Sequence, residues 1–157
     1  MPAIRRILVP VDWSEPSIRA FEVADSLAHE RGAELLVLYV VPVATVMYGP
    51  APESYCEHVR DELCRIRPAH PQTPVQHLIA EGDPAAAILR VAREKECDLI
   101  VMGTHGRTAL PHVLMGSVAE QVVRKAPCLV LTVKADITAD PVGQTKKHEG
   151  LNKPATK

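Results

Sequence analysis

Short apolar runs alternate with amphipathic stretches along most of the chain. The second, fourth and fifth runs are nearly continuous, which is typical of strands buried on both faces of a parallel sheet. The sequence therefore predicts five parallel strands, over Arg6–Val11, Glu34–Val41, Val75–Ala80, Asp98–Met102 and Cys128–Val133.

Four helices are predicted between these strands, because each intervening stretch repeats apolar residues at helical spacing or carries a start or stop signal. A side-chain cap, a proline in the first turn and a terminal glycine are such signals. A Ser followed three residues later by Glu forms a capping box. The first helix begins at Ser14 and Pro16 and ends at Gly32, and the second repeats apolar residues from Cys56 to Ile66 before Pro68. The third begins at Asp83 and Pro84. The fourth begins with the capping box formed by Ser117 and Glu120.

This alternation predicts an α/β fold, a doubly wound five-stranded parallel sheet with helices on both faces, in the Rossmann-like manner. We expect one domain over residues 1–134. The Pro-containing stretch Pro42–Ser54 is predicted to be a long loop after the second strand. Residues 135–157 lose apolar content and are predicted to form a disordered tail.

Composition excludes several classes of partner. The 157 residues carry a net charge of −1, which offers no electrostatic footprint for nucleic acid. With one Trp, three Tyr and one Phe, a base-stacking platform is not expected either. No apolar run approaches the length of a membrane helix, and no apolar signal region follows Arg5 and Arg6. We therefore expect a soluble, cytoplasmic protein.

The loop after the first predicted strand contains a candidate binding residue, Asp12. In open α/β sheets, ligands bind beyond the carboxyl ends of the strands, where the strand order reverses. A carboxylate there can accept hydrogen bonds from ribose hydroxyls or from an adenine amino group. It can equally help Ser14 to cap the following helix, and the sequence leaves both roles open.

A second candidate loop follows the fourth predicted strand. Gly103 and Gly106 suit a sharp turn at which a ligand approaches the bare backbone. Gly116 and Ser117 stand at the start of the fourth helix, whose N–H groups and dipole favour phosphate. The predicted capping box opposes this role, because Glu120 would occupy Ser117 and add a negative charge. The spacing is neither a Walker P-loop nor a dinucleotide fingerprint.

Taken together, three sequence blocks resemble the universal stress protein family, in its ATP-binding branch. The spacing Gly103-x2-Gly106-x9-Gly116-Ser117 is similar to that of the family's nucleotide-binding loop. The segments Ile7–Glu15 and Val118–Cys128 resemble the beginning and the end of the family's domain. The resemblance extends from about residue 3 to residue 134.

The resemblance implies that the chain binds ATP or another adenine nucleotide, with Mg²⁺ arriving on the triphosphate. It assigns the adenosine part to the first strand's end and to Val40, and the phosphates to the glycine loop, where Arg107 and Ser117 offer donors. It further implies a homodimer through the last strand, Cys128–Val133, whose apolar edge invites pairing, and a protein partner of unknown identity. The expected nucleotide site consists of Pro10, Val11, Asp12, Val40, Met102, Gly103, Thr104, Gly106, Arg107, Gly116, Ser117 and Val118.

No catalytic residue and no metal site is predicted. Asp12 and His105 are the titratable candidates near the two loops, and neither has an obvious partner in sequence. The four cysteines lack the short spacings of a metal site. We therefore expect a nucleotide-dependent stress-response module with at most slow ATP hydrolysis. The alternatives are a slow ATPase or nucleotide-processing enzyme on the same fold, and a structural dimer with an empty cleft.

Overall fold

Strands and helices alternate along the chain, as predicted. In a computed structural model, which describes residues 3–43, 49, 52–106 and 114–134, the strand limits lie within two residues of the predicted ones. The elements are β1 (Arg6–Pro10), α1 (Glu15–Arg31), β2 (Glu34–Pro42), α2 (Glu53–Arg65), β3 (Val75–Gly82), α3 (Pro84–Glu94), β4 (Leu99–Gly103), α4 (Ser117–Lys125) and β5 (Leu129–Val133).

The five strands form one parallel sheet in the order β3-β2-β1-β4-β5. In the register of the central strands, Leu8 of β1 lies beside Leu36 of β2 and Ile100 of β4. The strand order reverses at β1, because the chain passes from β1 to β2 on one side and returns to β4 on the other. The doubly wound fold is therefore confirmed, and its switch point lies between β1 and β4.

Alternate side chains of the central strands pack into two separate cores. Val9 points to the core that contains Phe21 of α1 and Val59 of α2. Leu8, the preceding residue, points to the core that contains Ile88 of α3 and Val122 of α4. Helices therefore cover both faces of the sheet. Since β2 and β4 are buried almost throughout, their continuous apolar runs are explained.

β5 departs from the expectation that a continuous apolar run is buried on both faces. It forms an edge of the sheet, and its side chains Leu129 and Leu131 are 52% and 37% exposed. It also begins at Leu129, one residue after the predicted start. Packing within the described residues of this chain therefore leaves these two apolar side chains of β5 partly exposed.

Two of the predicted helix starts and one helix end are confirmed. The Ser14 side chain caps α1 by accepting a hydrogen bond from the Ser17 backbone N at 3.4 Å. Gly32 ends α1 with a φ of 64°, in the left-handed region that favours glycine. Asp83 caps α3 by accepting from the Ala86 backbone N at 2.9 Å. At these three positions the sequence thus correctly predicted which residue begins or ends the helix.

The capping box predicted for α4 is wrong. The cap residue is Gly116, with extended backbone and no side-chain cap, and Ser117 is already the first helical residue. Because the cap lies one residue earlier than predicted, no capping box forms. Glu120 instead accepts a hydrogen bond from the Arg124 guanidinium at 2.7 Å. Glu120 therefore does not occupy Ser117, but its negative charge remains in the first turn of α4.

Some predicted features fall partly or wholly outside the described residues. The predicted loop Pro42–Ser54 includes residues 44–48, 50 and 51, which are not described, and α2 begins inside it at Glu53. The tail at 135–157 is also outside. Within the described ranges, no helix has both the length and the apolar character needed to cross a membrane.

Candidate functional site

A cleft of about 630 Å³ opens at the carboxyl ends of β1 and β4, at the switch point of the sheet. This is the position at which open α/β sheets bind ligands. Its walls come from the ends of β1, β2 and β4, from the loops that follow β1 and β4, and from the first turns of α1, α3 and α4. Segments distant in sequence therefore meet around a single cavity.

Eleven of the twelve predicted site residues line this cleft. The twelfth, Arg107, lies outside the described residues. The lining residues that were predicted are Pro10, Val11, Asp12, Val40, Met102, Gly103, Thr104, Gly106, Gly116, Ser117 and Val118.

Several lining residues were not predicted. Two of them, Pro84 and Ile88, belong to the first turns of α3. The signal was available at Pro84, because the turn from β3 to α3 also lies at a carboxyl end of the sheet. The complete unpredicted set is Ser17, Leu38, Tyr39, Pro42, Pro84, Ile88, His105 and Ala119.

Asp12 performs the capping role that the sequence left open, and it also lines the cleft. Its Oδ1 accepts a hydrogen bond from the Ser14 backbone N at 3.0 Å and another from the Ser14 hydroxyl. Its Oδ2 lies on the side of Gly106, where an added Cβ would come within 2.7 Å of it. The two oxygens of one carboxylate therefore face different surroundings, and one of them lies beside the glycine loop.

Close contacts within the protein explain why glycine stands at two positions of the loop. A Cβ on Gly103 would lie 2.7 Å from the Cβ of Pro16, at the start of α1. A Cβ on Gly116 would lie 3.3 Å from the backbone oxygen of Thr104, to which the Gly116 N–H donates at 2.7 Å. Gly103 and Gly116 therefore permit close packing of the loop against α1 and against itself, a reason that we did not predict from the sequence.

Thr104 and His105 join this loop to the end of the sheet. Thr104 is 2% exposed, and its backbone N donates to the Val133 oxygen at 2.9 Å. Its Oγ1 lies 3.1 Å from Nδ1 of His105, a half-buried residue of the cleft wall. A Cβ on Gly116 would be 3.7 Å from the His105 Cα, so His105 borders the N-terminus of α4.

Trp13 has an unusual backbone conformation next to Asp12. Its φ of 60° lies in the left-handed region, which is a genuine outlier for so bulky a residue. Such a conformation costs about 1–3 kcal/mol and persists only where its surroundings enforce it. The Trp13 ring packs against Tyr39, with ring centroids 4.4 Å apart. This contact helps to hold the turn from which Asp12 and Ser14 project.

Two cysteines, Cys97 and Cys128, have thiols with raised pKa values. Burial is the main cause that raises the pKa of the Cys97 thiol from 9.0 to about 12, with a further contribution from neighbouring Cys128. Burial followed by the charge of Asp98 also raises the pKa of Cys128. Within the described residues, no group of His, Cys, Asp and Glu side chains is arranged to hold a metal ion.

Cys97 is therefore expected to resist alkylation in the native protein. The thiolate is the reactive form, and a thiol with a raised pKa is almost fully protonated at pH 8. Iodoacetamide at that pH should modify Cys97 only on the timescale of unfolding, as measured by peptide mass mapping. Addition of denaturant should remove the protection, and equal labelling of Cys97 before and after unfolding would contradict this prediction.

The fold and the cleft define an α/β protein with a ligand cavity at its switch point, and comparison with known proteins specifies the family. The model of the universal stress protein family matches residues 3–134, so the chain belongs to the universal stress protein family. The predicted family resemblance is thereby confirmed.

Individual relatives agree with this assignment. Universal stress protein MJ0531 of Methanocaldococcus jannaschii is 37% identical over 139 residues, which cover 83% of this chain and 82% of the relative. The structure of universal stress protein UspA from Lactobacillus plantarum has a TM-score of 0.72 at 28% identity, covering 85% of this chain and 99% of that one. A universal stress protein in complex with cAMP has a TM-score of 0.62 at 25% identity, covering 84% and 98%.

Proposed function

We propose that this chain binds an adenine nucleotide, with ATP as the expected ligand, and acts in the cytoplasm as a nucleotide-dependent dimeric module of the stress response without dedicated catalysis. The observation that carries the proposal is the cleft at the switch point, whose described walls include all of the predicted site residues but Arg107. A related universal stress protein, similar in fold, has been solved in complex with cAMP, which is itself an adenine nucleotide.

The apolar part of the cleft suits the adenosine end of such a ligand. Val40, Met102 and Ile88 supply flat aliphatic surface against which a purine ring can pack, and Pro10 completes the wall at the end of β1. Asp12 contributes an acceptor beside them. Its Oδ2 lies beside Gly106 of the glycine loop, and we assign the interaction with a ribose hydroxyl or the adenine amino group to this oxygen.

The N-terminus of α4 suits the phosphate end. A helix N-terminus carries partial positive charge and unpaired N–H groups, and the cap residue of α4, Gly116, has no side chain with which to satisfy them. Ser117 and Val118, the first residues of that helix, both line the cleft. Arg107 remains our candidate for a further phosphate donor, and Mg²⁺ would accompany a triphosphate.

The contacts of Asp12 and His105, the two candidates weighed from the sequence, favour binding over catalysis. Asp12 is engaged with Ser14, and His105 with Thr104, so each side chain already has a structural partner. Phosphoryl transfer requires a group that orients the attacking nucleophile in addition to phosphate clamps and a metal ion. We therefore assign no catalytic residue.

Mass spectrometry of the small molecules released from the purified, heat-denatured protein tests this function directly. ATP or another adenine nucleotide near one per chain is the expected result, and calorimetry with added ATP is the second measurement. An empty protein that also fails to bind added ATP and adenosine would contradict the proposal and favour the structural dimer.

The proposed dimer should depend on Leu131. This side chain lies on the edge strand β5 and is 37% exposed, so pairing through β5 would cover it. In Leu131→Asp the interface would bury an unpaired carboxylate, at a cost of about 3–5 kcal/mol, and dimer affinity should fall roughly hundredfold or more. Sedimentation equilibrium measures this change.

The matched control is Val23→Asp, which changes an apolar residue of similar exposure, 36%, on α1. It should leave the oligomeric state of the protein unchanged. A Leu131→Asp protein that remains as dimeric as the Val23→Asp protein would exclude β5 as the interface.

A further inference from the structure

Ser17 is a buried polar residue of the cleft wall, and the sequence argument gave it no role. It lies in the first turn of α1 and is only 5% exposed. Its hydroxyl accepts a hydrogen bond from the Asp12 backbone N at 3.3 Å and donates one to the Ser14 backbone oxygen at 2.9 Å. A single hydroxyl therefore links the backbone before Trp13 to the backbone after it.

Trp13, the residue between these two contacts, has the strained backbone of the turn. Its φ of 60° persists only where the surrounding structure enforces it. The contact with Tyr39 restrains the Trp13 ring, whereas the φ angle depends on the path of the backbone on either side. Because the Ser17 hydroxyl holds both flanking segments, it directly restrains the left-handed conformation.

The same turn carries the carboxylate that we assign to the ligand. Oδ1 of Asp12 accepts from the Ser14 backbone N at 3.0 Å and from the Ser14 hydroxyl, which itself accepts from the Ser17 backbone N at 3.4 Å. These contacts form a closed network that fixes Asp12 through its backbone and through its side chain. Loss of the Ser17 hydroxyl therefore loosens the turn that directs Oδ2 of Asp12 toward Gly106.

We propose that Ser17 is a positioning residue of the cleft, whose hydroxyl holds the turn in the conformation that presents the Asp12 carboxylate to the ribose hydroxyl or adenine amino group of the ligand. The inference rests on the proposed adenine-nucleotide function and adds to it a residue that acts through Asp12. Such preorganisation raises affinity because the turn is already ordered before the ligand binds. ATP and adenosine should gain from it equally, since both carry the adenosine end.

A double-mutant cycle with Asp12→Asn tests whether Ser17 acts through Asp12. In the wild type, Ser17→Ala should weaken the binding of ATP and of adenosine roughly tenfold. In the Asp12→Asn protein the same change should weaken binding less than about twofold, because the acceptor that Ser17 positions is already lost. Equal losses in the two backgrounds, or a loss confined to ATP, would overturn the inference.

Ser26→Ala is the matched control for Ser17→Ala. Ser26 is an exposed serine of the same helix, and its hydroxyl also donates to a backbone oxygen, that of Glu22 at 3.2 Å. Its removal should leave the affinity for both ligands unchanged. Loss of one hydrogen-bonded hydroxyl is small against the stability of a domain, so we expect both alanine variants to fold.

Ser17→Thr and Ser17→Val separate the hydroxyl from the shape of the side chain, because Thr and Val differ mainly in that hydroxyl. Both add a methyl group at a buried position, so the cost of the added volume is common to the pair. The Ser17→Thr protein should bind ATP roughly tenfold more tightly than the Ser17→Val protein. Equal affinity in these two variants would overturn the inference.

Fluorescence of the ligand-free protein provides a readout that a direct contact between Ser17 and the ligand would not change. Trp13 is the only tryptophan of the chain, and its ring lies against Tyr39. Ser17→Ala should alter the tryptophan emission, because the turn is released, whereas Ser26→Ala should not. An unchanged spectrum in Ser17→Ala would overturn the inference and leave nucleotide binding intact. Failure of the wild type to bind either ATP or adenosine would overturn the proposed function as well.

Discussion

Asp12→Asn is expected to weaken ATP binding roughly ten- to a hundredfold, because it removes the acceptor that we assign to the ligand. The amide oxygen can still accept from Ser14, as Oδ1 does at 3.0 Å in the wild type. The amide nitrogen, however, replaces Oδ2 and presents N–H donors to a group that itself donates. Isothermal titration with ATP and with adenosine measures the loss, which should be of equal size for both ligands.

Loss of affinity through damage to the fold can be separated from this effect. Because the cap on Ser14 survives, the free energy of unfolding of Asp12→Asn should stay within about 1 kcal/mol of the wild type. Asp61→Asn, at an exposed position of α2, makes the same chemical change away from the cleft and should bind ATP normally. Wild-type affinity in Asp12→Asn would mean that Asp12 only supports Ser14, the cap residue of α1.

The fold was predictable because apolar pattern and capping chemistry agree along most of the chain. β2 and β4 are continuous apolar runs since they are covered on both faces, and the limits of α1 follow from Ser14 and Gly32. β5 has the same apolar pattern for another reason. A strand at the edge and a strand in the middle of a sheet cannot be distinguished by pattern when the edge strand is also apolar, so its exposure required the structure.

The cleft was only partly predictable, because it combines local motifs with contacts between distant segments. The carboxyl-end rule leads to Asp12 and to the loop after β4 from the sequence alone. Contributions from helix turns, such as Ile88, depend on how α3 packs on the sheet and leave no motif. The error at Ser117 has a simple origin: a capping-box pattern matched, but Gly116 is the residue that fits the close approach to Thr104.

Gly103→Ala is expected to lower the free energy of unfolding by about 1–3 kcal/mol, because it overpacks a junction of β4 with α1. The new Cβ would lie 2.7 Å from the Cβ and 3.0 Å from the backbone carbon of Pro16, and 3.2 Å from the His105 oxygen. Two of these three atoms are backbone and the third belongs to a rigid ring, so relief requires movement of the helix start or of the loop. Urea denaturation measures the change.

Gly106→Ala is the matched control, since it adds the same methyl group to the same loop. Its Cβ would meet Oδ2 of Asp12 at 2.7 Å and otherwise only the Asp12 Cγ, at 3.9 Å. A carboxylate at the end of a side chain can turn away, so stability should change less than in Gly103→Ala, while ATP affinity should fall because Asp12 is displaced. The two glycines of one motif would then have separable roles, Gly103 in packing the loop on α1 and Gly106 in leaving space for the binding carboxylate. Equal stability of Gly103→Ala and wild type, or a larger loss in Gly106→Ala, would contradict this division.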